Sequence, residues 1–140
     1  MRAVLDTDVL VAALRSDKGA SRQLLLAAVE QRYDLLLSVP LVIEYEAVLT
    51  RPEQLTASKL SVADVGVILD VLVSVAEPVR LSFRWRPVLT DPSDDMVLET
   101  AVNGSAEVLV TFNRRHYAEA ARQFRLEITS PVEALGRLRR

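Results

Sequence analysis

At 140 residues, half of them apolar, the chain suits one compact domain spanning residues 1–140 with a buried core. No apolar run approaches the roughly 20 residues that cross a bilayer, and the stretch from Met1 to Leu5 meets an acid, Asp6, too early for a signal peptide. With no cysteine, disulfides and thiolate metal sites are excluded, and the composition with its net charge of −2 reads as a soluble, cytoplasmic protein.

In chain order, Arg2 to Leu5 reads as a short strand ending in Asp6-Thr7-Asp8, with Asp8 placed to cap the helical pattern that begins at Val9. Lys18-Gly19 breaks that pattern, and Leu24, Leu25, Ala28 and Val29 predict a helix over 20–32. Leu35-Leu36-Leu37 predicts a buried strand over 34–38. Pro40 then opens a helix to about Arg51, where a missing amide proton costs nothing. Arg51-Pro52 ends that helix. Residues 53–60 read as a short helix or a loop, and 62–76 as an apolar helix stopped before Pro78. The stretch 79–90 reads as a short edge strand followed by a loop. Asp91-Pro92-Ser93-Asp94 then marks a helix start, with Asp91 as cap and the end near Asn103-Gly104. Residues 107–111 predict a buried strand, 114–122 a helix, 126–128 a last strand and 131–138 a terminal helix. This alternation predicts an α/β fold with a central parallel sheet.

Ligands of such sheets bind beyond the carboxyl ends of the strands. Asp6 closes the first predicted strand, Glu44 lies just over one turn into the helix after the second, Asp94 opens a later helix, and Asn113 follows Thr111. Three carboxylates in a small volume repel unless a cation neutralises them. With oxygen donors, no cysteine and only His116 as an imidazole, that cation is Mg²⁺ or Mn²⁺ rather than zinc. Each residue also has a plainer role. Asp6 could turn the chain, and Asp94 could favour a helix start through the dipole. Glu44 and Glu46 lie at opposite borders of one apolar face, so helical geometry does not choose between them. Asp94 shares a face with Val97, Leu98 and Ala101, whereas Asp95 shares one with Glu99, which places Asp94 inward and Asp95 outward. Charge is uneven as well. From Asn113 onward, arginines 114, 115, 122, 125, 137, 139 and 140 face only Glu119, Glu127 and Glu133. A basic third beside the acids at 91–99 suits an enzyme that holds cations and handles a polyanion, and equally ordinary surface pairing.

Taken together, VLDTDVLVAAL, PLVIEYEAVLTRPE and DPSDDMVLETAVNGSAEVLVTFN resemble the PIN-domain family over nearly the whole chain, most of all its VapC-like toxin branch. The resemblance implies a three-layer α/β/α fold and Mg²⁺- or Mn²⁺-dependent cleavage of RNA. It assigns Asp6, Glu44 and Asp94 as metal-binding, catalytic acids. Asn113 stands at the fourth catalytic position, where the family usually has an acid, and the loss of that charge leaves open whether one ion or two are bound. One cation held by Asp6 and Asp94, with Glu44 direct or through water, would activate a water and stabilise phosphoryl charge. Arg114, Arg115 and the C-terminal arginines would hold phosphates. Tyr117 and Trp85 could stack on bases, although core packing is the stronger reading for each. The same resemblance implies a cognate antitoxin docking beside apolar surface around Leu49 and Val62, and a homodimer.

The main alternative is a catalytically weakened PIN fold serving as an RNA- or protein-binding module, the reading that Asn113 supports. A receiver-type signalling domain would need a lysine near the late strand, and the only lysines are Lys18 and Lys59. Structure-specific DNA cutting is disfavoured by the short chain.

Overall fold

The computed structural model describes residues 1–82 and 92–139, with side chains over 1–82 and 96–139. The expectations for Asp91, Trp85 and the side chains of Asp94 and Asp95 fall outside the described residues. The elements are β1 (Arg2–Leu5), α1 (Thr7–Arg15), α2 (Ala20–Val29), β2 (Asp34–Leu37), α3 (Val39–Leu49), α4 (Pro52–Ser58), α5 (Val62–Val75), β3 (Glu77–Pro78), α6 (Pro92–Asn103), β4 (Val108–Val110), α7 (Arg114–Phe124), β5 (Glu127–Thr129) and α8 (Pro131–Leu138).

The strands form one sheet in the order β3-β2-β1-β4-β5, and every neighbouring pair is parallel. Successive strand residues point to opposite faces. Yet Ala3, Val4 and Leu5 on β1 and Val108, Leu109 and Val110 on β4 are all buried, so helices cover both faces. This is the expected three-layer α/β fold. Because β1 is central, the chain lays β2 and β3 on one side of it and β4 and β5 on the other. The crevice at that change of direction is where such sheets bind ligands.

Several local expectations are corrected. The cap of α1 is Asp6 rather than Asp8, since the Asp6 side chain accepts the Thr7 amide while the backbone is still extended. Helix α2 stops at Val29 instead of Arg32. Gln31 turns left-handed at φ 57°, and the Arg32 amide reaches back to the Ala27 carbonyl at 2.9 Å, a Schellman closure. The ambiguous segment 53–60 is mostly helix α4. An edge strand not expected stands at 77–78 and includes Pro78, whereas the stretch 79–90, read as an edge strand and loop, lies mostly outside the described residues. An outermost strand tolerates proline because one side needs no donor. Leu49, expected beside exposed apolar surface, is buried at 3% exposure, whereas Val62 is exposed.

Gly104 does follow the end of α6, but it does not supply the left-handed turn, which falls on Ser105 at φ 53°. A Cβ at 104 would stand 2.8 Å from Val79 Cγ2, 2.9 Å from Leu36 Cδ1 and 3.0 Å from the Thr100 carbonyl oxygen. Glycine is required there for close approach of α6 to β2 and the segment after β3.

Candidate active site

The carboxyl ends of β1, β2 and β4 lie side by side and deliver Asp6, Ser38 and Thr111 to one edge of the sheet. Asp6 is 5% exposed and Thr111 fully buried. The two Asp6 oxygens are aimed by separate donors: Oδ1 accepts the Thr7 amide at 2.8 Å and Oδ2 accepts the Thr111 hydroxyl at 2.7 Å. Thr111 Oγ1 in turn accepts the Asn113 amide at 2.9 Å. Asp8 comes to the same turn, where its Oδ2 accepts the Phe112 amide at 3.2 Å and lies 3.4 Å from Thr111 Oγ1. Thus Asp6, through Thr111, and Asp8, through the Phe112 amide, tie the start of α1 to the β4–α7 turn.

Helix α3 is fixed to this edge at two points. Ser38 caps it by accepting the Leu41 amide, and shares a 2.7 Å hydrogen bond with Thr100 Oγ1 of α6. Tyr45, 1% exposed, donates its hydroxyl to the Leu5 carbonyl at 2.5 Å. Burial first, and then the negative charges of Asp6 and Asp8, push the Tyr45 phenol well above its ordinary pKa, so it stays a neutral donor beside the acids. Glu44, the residue before this anchor, is half-buried, whereas Glu46 is exposed. Burial therefore separates two acids that the helical wheel left equivalent.

The remaining expected residues behave differently. Asp94 lies in the first turn of α6, and its side chain is outside the described residues. The wheel argument behind its inward orientation used Glu99 as a marker of the outward face, but Glu99 is fully buried. Helix α6 packs against β1, β2, β4, α3 and α7, so it is covered on more than one side and a single-face wheel misplaces its polar residues. Asn113 is exposed at the cap position of α7, and its side chain makes no capping bond; its backbone amide is what joins the Thr111 network. His116 is exposed on α7, and Tyr117 is fully buried, which removes it as a stacking surface. Arg114 pairs with Glu133, and Arg137 with Glu127 at 2.5 Å and Glu107 at 3.9 Å. Among the described residues, no three His, Asp or Glu side chains gather closely enough to hold a metal ion.

Sequence reasoning missed Thr111, Tyr45 and the Ser38–Thr100 contact as parts of this edge, and took Asp8 for a cap. A usable signal was present, since Ser38 and Thr111 each stand directly after an apolar strand run, as Asp6 does.

No curated protein matches the chain. A solved structure, VapBC2 from Rickettsia felis bound to a DNA fragment from their promoter, contains a chain of the same fold. It superposes with a TM-score of 0.60 at 14% identity, over 93% of this chain and 98% of that one. The family model described as PIN domain matches residues 2–115. That span takes in Asp6, Glu44, Thr111 and the turn at Asn113, and the chain belongs to the PIN domain family.

Proposed function

We propose that this protein is a divalent-metal-dependent endoribonuclease and the toxin of a type II toxin–antitoxin pair. The observation that carries the reading is Asp6, a nearly buried carboxylate at the end of the central strand, aimed by the Thr7 amide and the Thr111 hydroxyl. Membership of the PIN domain family and the fold shared with VapBC2 support it. Asp6, Glu44 and Asp94 are the residues that would hold Mg²⁺ or Mn²⁺. Their donors are all carboxylate oxygens, the chain has no thiol, and its single imidazole, His116, is exposed on α7, so the set fits a hard cation. Such an ion supplies Lewis acidity at a phosphodiester.

The chain's own residues do the positioning. Thr111 fixes the Asp6 carboxylate, and Asp8 holds the β4–α7 turn that carries Thr111 and Asn113. Tyr45 locks α3 onto β1, which sets the register of Glu44. As a toxin, the protein works in the cytoplasm as a homodimer and is silenced by a neighbour-encoded antitoxin. An arginine or lysine of that partner would pair with the carboxylates of Asp6, Glu44 and Asp94. A second reading, a PIN fold kept as a binding module, is favoured by one observation: the exposed amide of Asn113 at the position of the family's usual fourth acid.

The register of α3 gives a direct test. Glu44→Gln is expected to lower RNA cleavage by about a hundredfold or more, since removing even an outer partner of a metal ligand costs roughly 10–100-fold. Glu46→Gln, at an exposed position, should stay near wild type. Cleavage of a labelled single-stranded RNA with Mg²⁺ or Mn²⁺ measures both, and equal loss in the two variants would remove Glu44 from the site.

A further inference from the structure

Resting on the ribonuclease reading above, we propose that the outer face of α7 is a phosphate track. It would guide single-stranded RNA to the carboxylates through Arg115, Arg122 and Arg125. The track begins at the site, because the Asn113 amide that opens α7 bonds to Thr111 Oγ1, and the same oxygen donates to Asp6. From there an 11-residue helix runs roughly 16 Å. Its inner face is fixed by Tyr117 and Ala120, both buried. Arg115 and Arg122 are seven residues apart, so they return to within about 20° of each other, opposite that inner face and roughly 10 Å apart along the axis. Arg125 follows at the end of the helix, and all three are exposed.

Among the described residues, Arg115, Arg122 and Arg125 share their freedom from ion pairs with arginines such as Arg32 and Arg51, but they alone lie along the helix that opens at the Thr111 network. Arg2 is spent on Glu77, Arg114 on Glu133, and Arg137 on Glu127 and Glu107. Arg22 donates to the Ala13 carbonyl and Arg139 to Gln23. Among the described residues, no acid pairs with Arg115, Arg122 or Arg125. The chain as a whole is acidic, at −2, and repels a polyanion, so contact with one requires a local basic strip. Glu119 is the one acid on this helix, and the three arginines outnumber it. Arg115 is the last residue matched by the family model, and Arg122 and Arg125 lie beyond it.

The test is fluorescence anisotropy of a labelled single-stranded RNA with the full-length protein in EDTA, over a series of NaCl concentrations, beside a cleavage assay. In Arg115→Gln/Arg122→Gln/Arg125→Gln, affinity should fall at least about tenfold. The salt slope should shrink by about 2, because each lost phosphate contact removes roughly 0.7. The KM for cleavage should rise while kcat holds. Arg32→Gln/Arg51→Gln, at exposed arginines in the connections before β2 and α4, should match wild type. If the triple variant unfolds, Arg115→Gln and Arg122→Gln singly should each reduce the slope by about 0.7. An unchanged slope and KM in an active enzyme would overturn the track and leave the ribonuclease reading standing. Loss confined to duplex DNA, or to an acidic peptide, would assign the face to that partner and overturn the proposal. Wild type that neither binds nor cuts RNA would overturn both.

Discussion

Asp6→Asn is expected to erase most of the stabilisation that Mn²⁺ gives the wild type. At a concentration about 100 times the dissociation constant, an ion bound only to the folded state adds roughly 2.7 kcal/mol, which a thermal melt resolves easily. Asparagine caps a helix as well as aspartate does, so the Thr7 amide keeps its acceptor and the metal-free variant should melt near the wild type. What changes is the charge at the end of β1, beneath the Thr111 hydroxyl. Asp94→Asn should lose the gain as well, while Asp34→Asn, at the start of β2 on the opposite edge of the parallel sheet, should keep it. An equal Mn²⁺ response in all these proteins would show that the ion binds elsewhere.

The same substitution at two glycines should move stability in opposite directions. Gly104→Ala is expected to destabilise the protein by about 1–3 kcal/mol, the usual range for forcing an extra carbon into a packed interior. Its new methyl would meet Val79 Cγ2 at 2.8 Å and Leu36 Cδ1 at 2.9 Å, and Leu36 is fully buried. The third neighbour, the Thr100 carbonyl oxygen at 3.0 Å, is backbone and belongs to the helix that carries Asp94. Gly66 lies inside α5 with nothing within 4 Å of an added Cβ. Gly66→Ala should therefore stabilise by about 0.5–1 kcal/mol through the helix preference of alanine alone. Chemical denaturation of both variants measures the contrast. A stable Gly104→Ala would mean that α6 and β2 are not in the close contact described here.

The centre of the sheet was legible because β1, β2 and β4 are short apolar runs, each followed by a polar residue, and helices of clear period lie between them. Asp6 could be read for the same reason, as the polar end of the first run. Asp8 was misread as a cap because two acids flank Thr7 and local spacing cannot say which turns inward. Only the long-range bonds from Thr111 and Phe112, more than a hundred residues away in sequence, assign their roles. Glu44 and Glu46 needed the tertiary anchor of Tyr45 on the Leu5 carbonyl before their burial differed. Glu99 defeated the wheel because α6 is enclosed by strands and helices on several sides, a property of the assembled fold rather than of the helix. The edge strand at 77–78 escaped notice since two residues containing a proline carry no period at all.

Incubation of the purified full-length protein with a labelled single-stranded RNA tests the central claim most directly, with Mg²⁺ or Mn²⁺ in one arm and EDTA in the other. Internal cleavage is expected with either ion, none in EDTA, and none with either ion in Asp6→Asn. RNA left intact by the wild type with both ions, or cut equally in EDTA and by Asp6→Asn, would contradict a metal-dependent ribonuclease built on the end of β1.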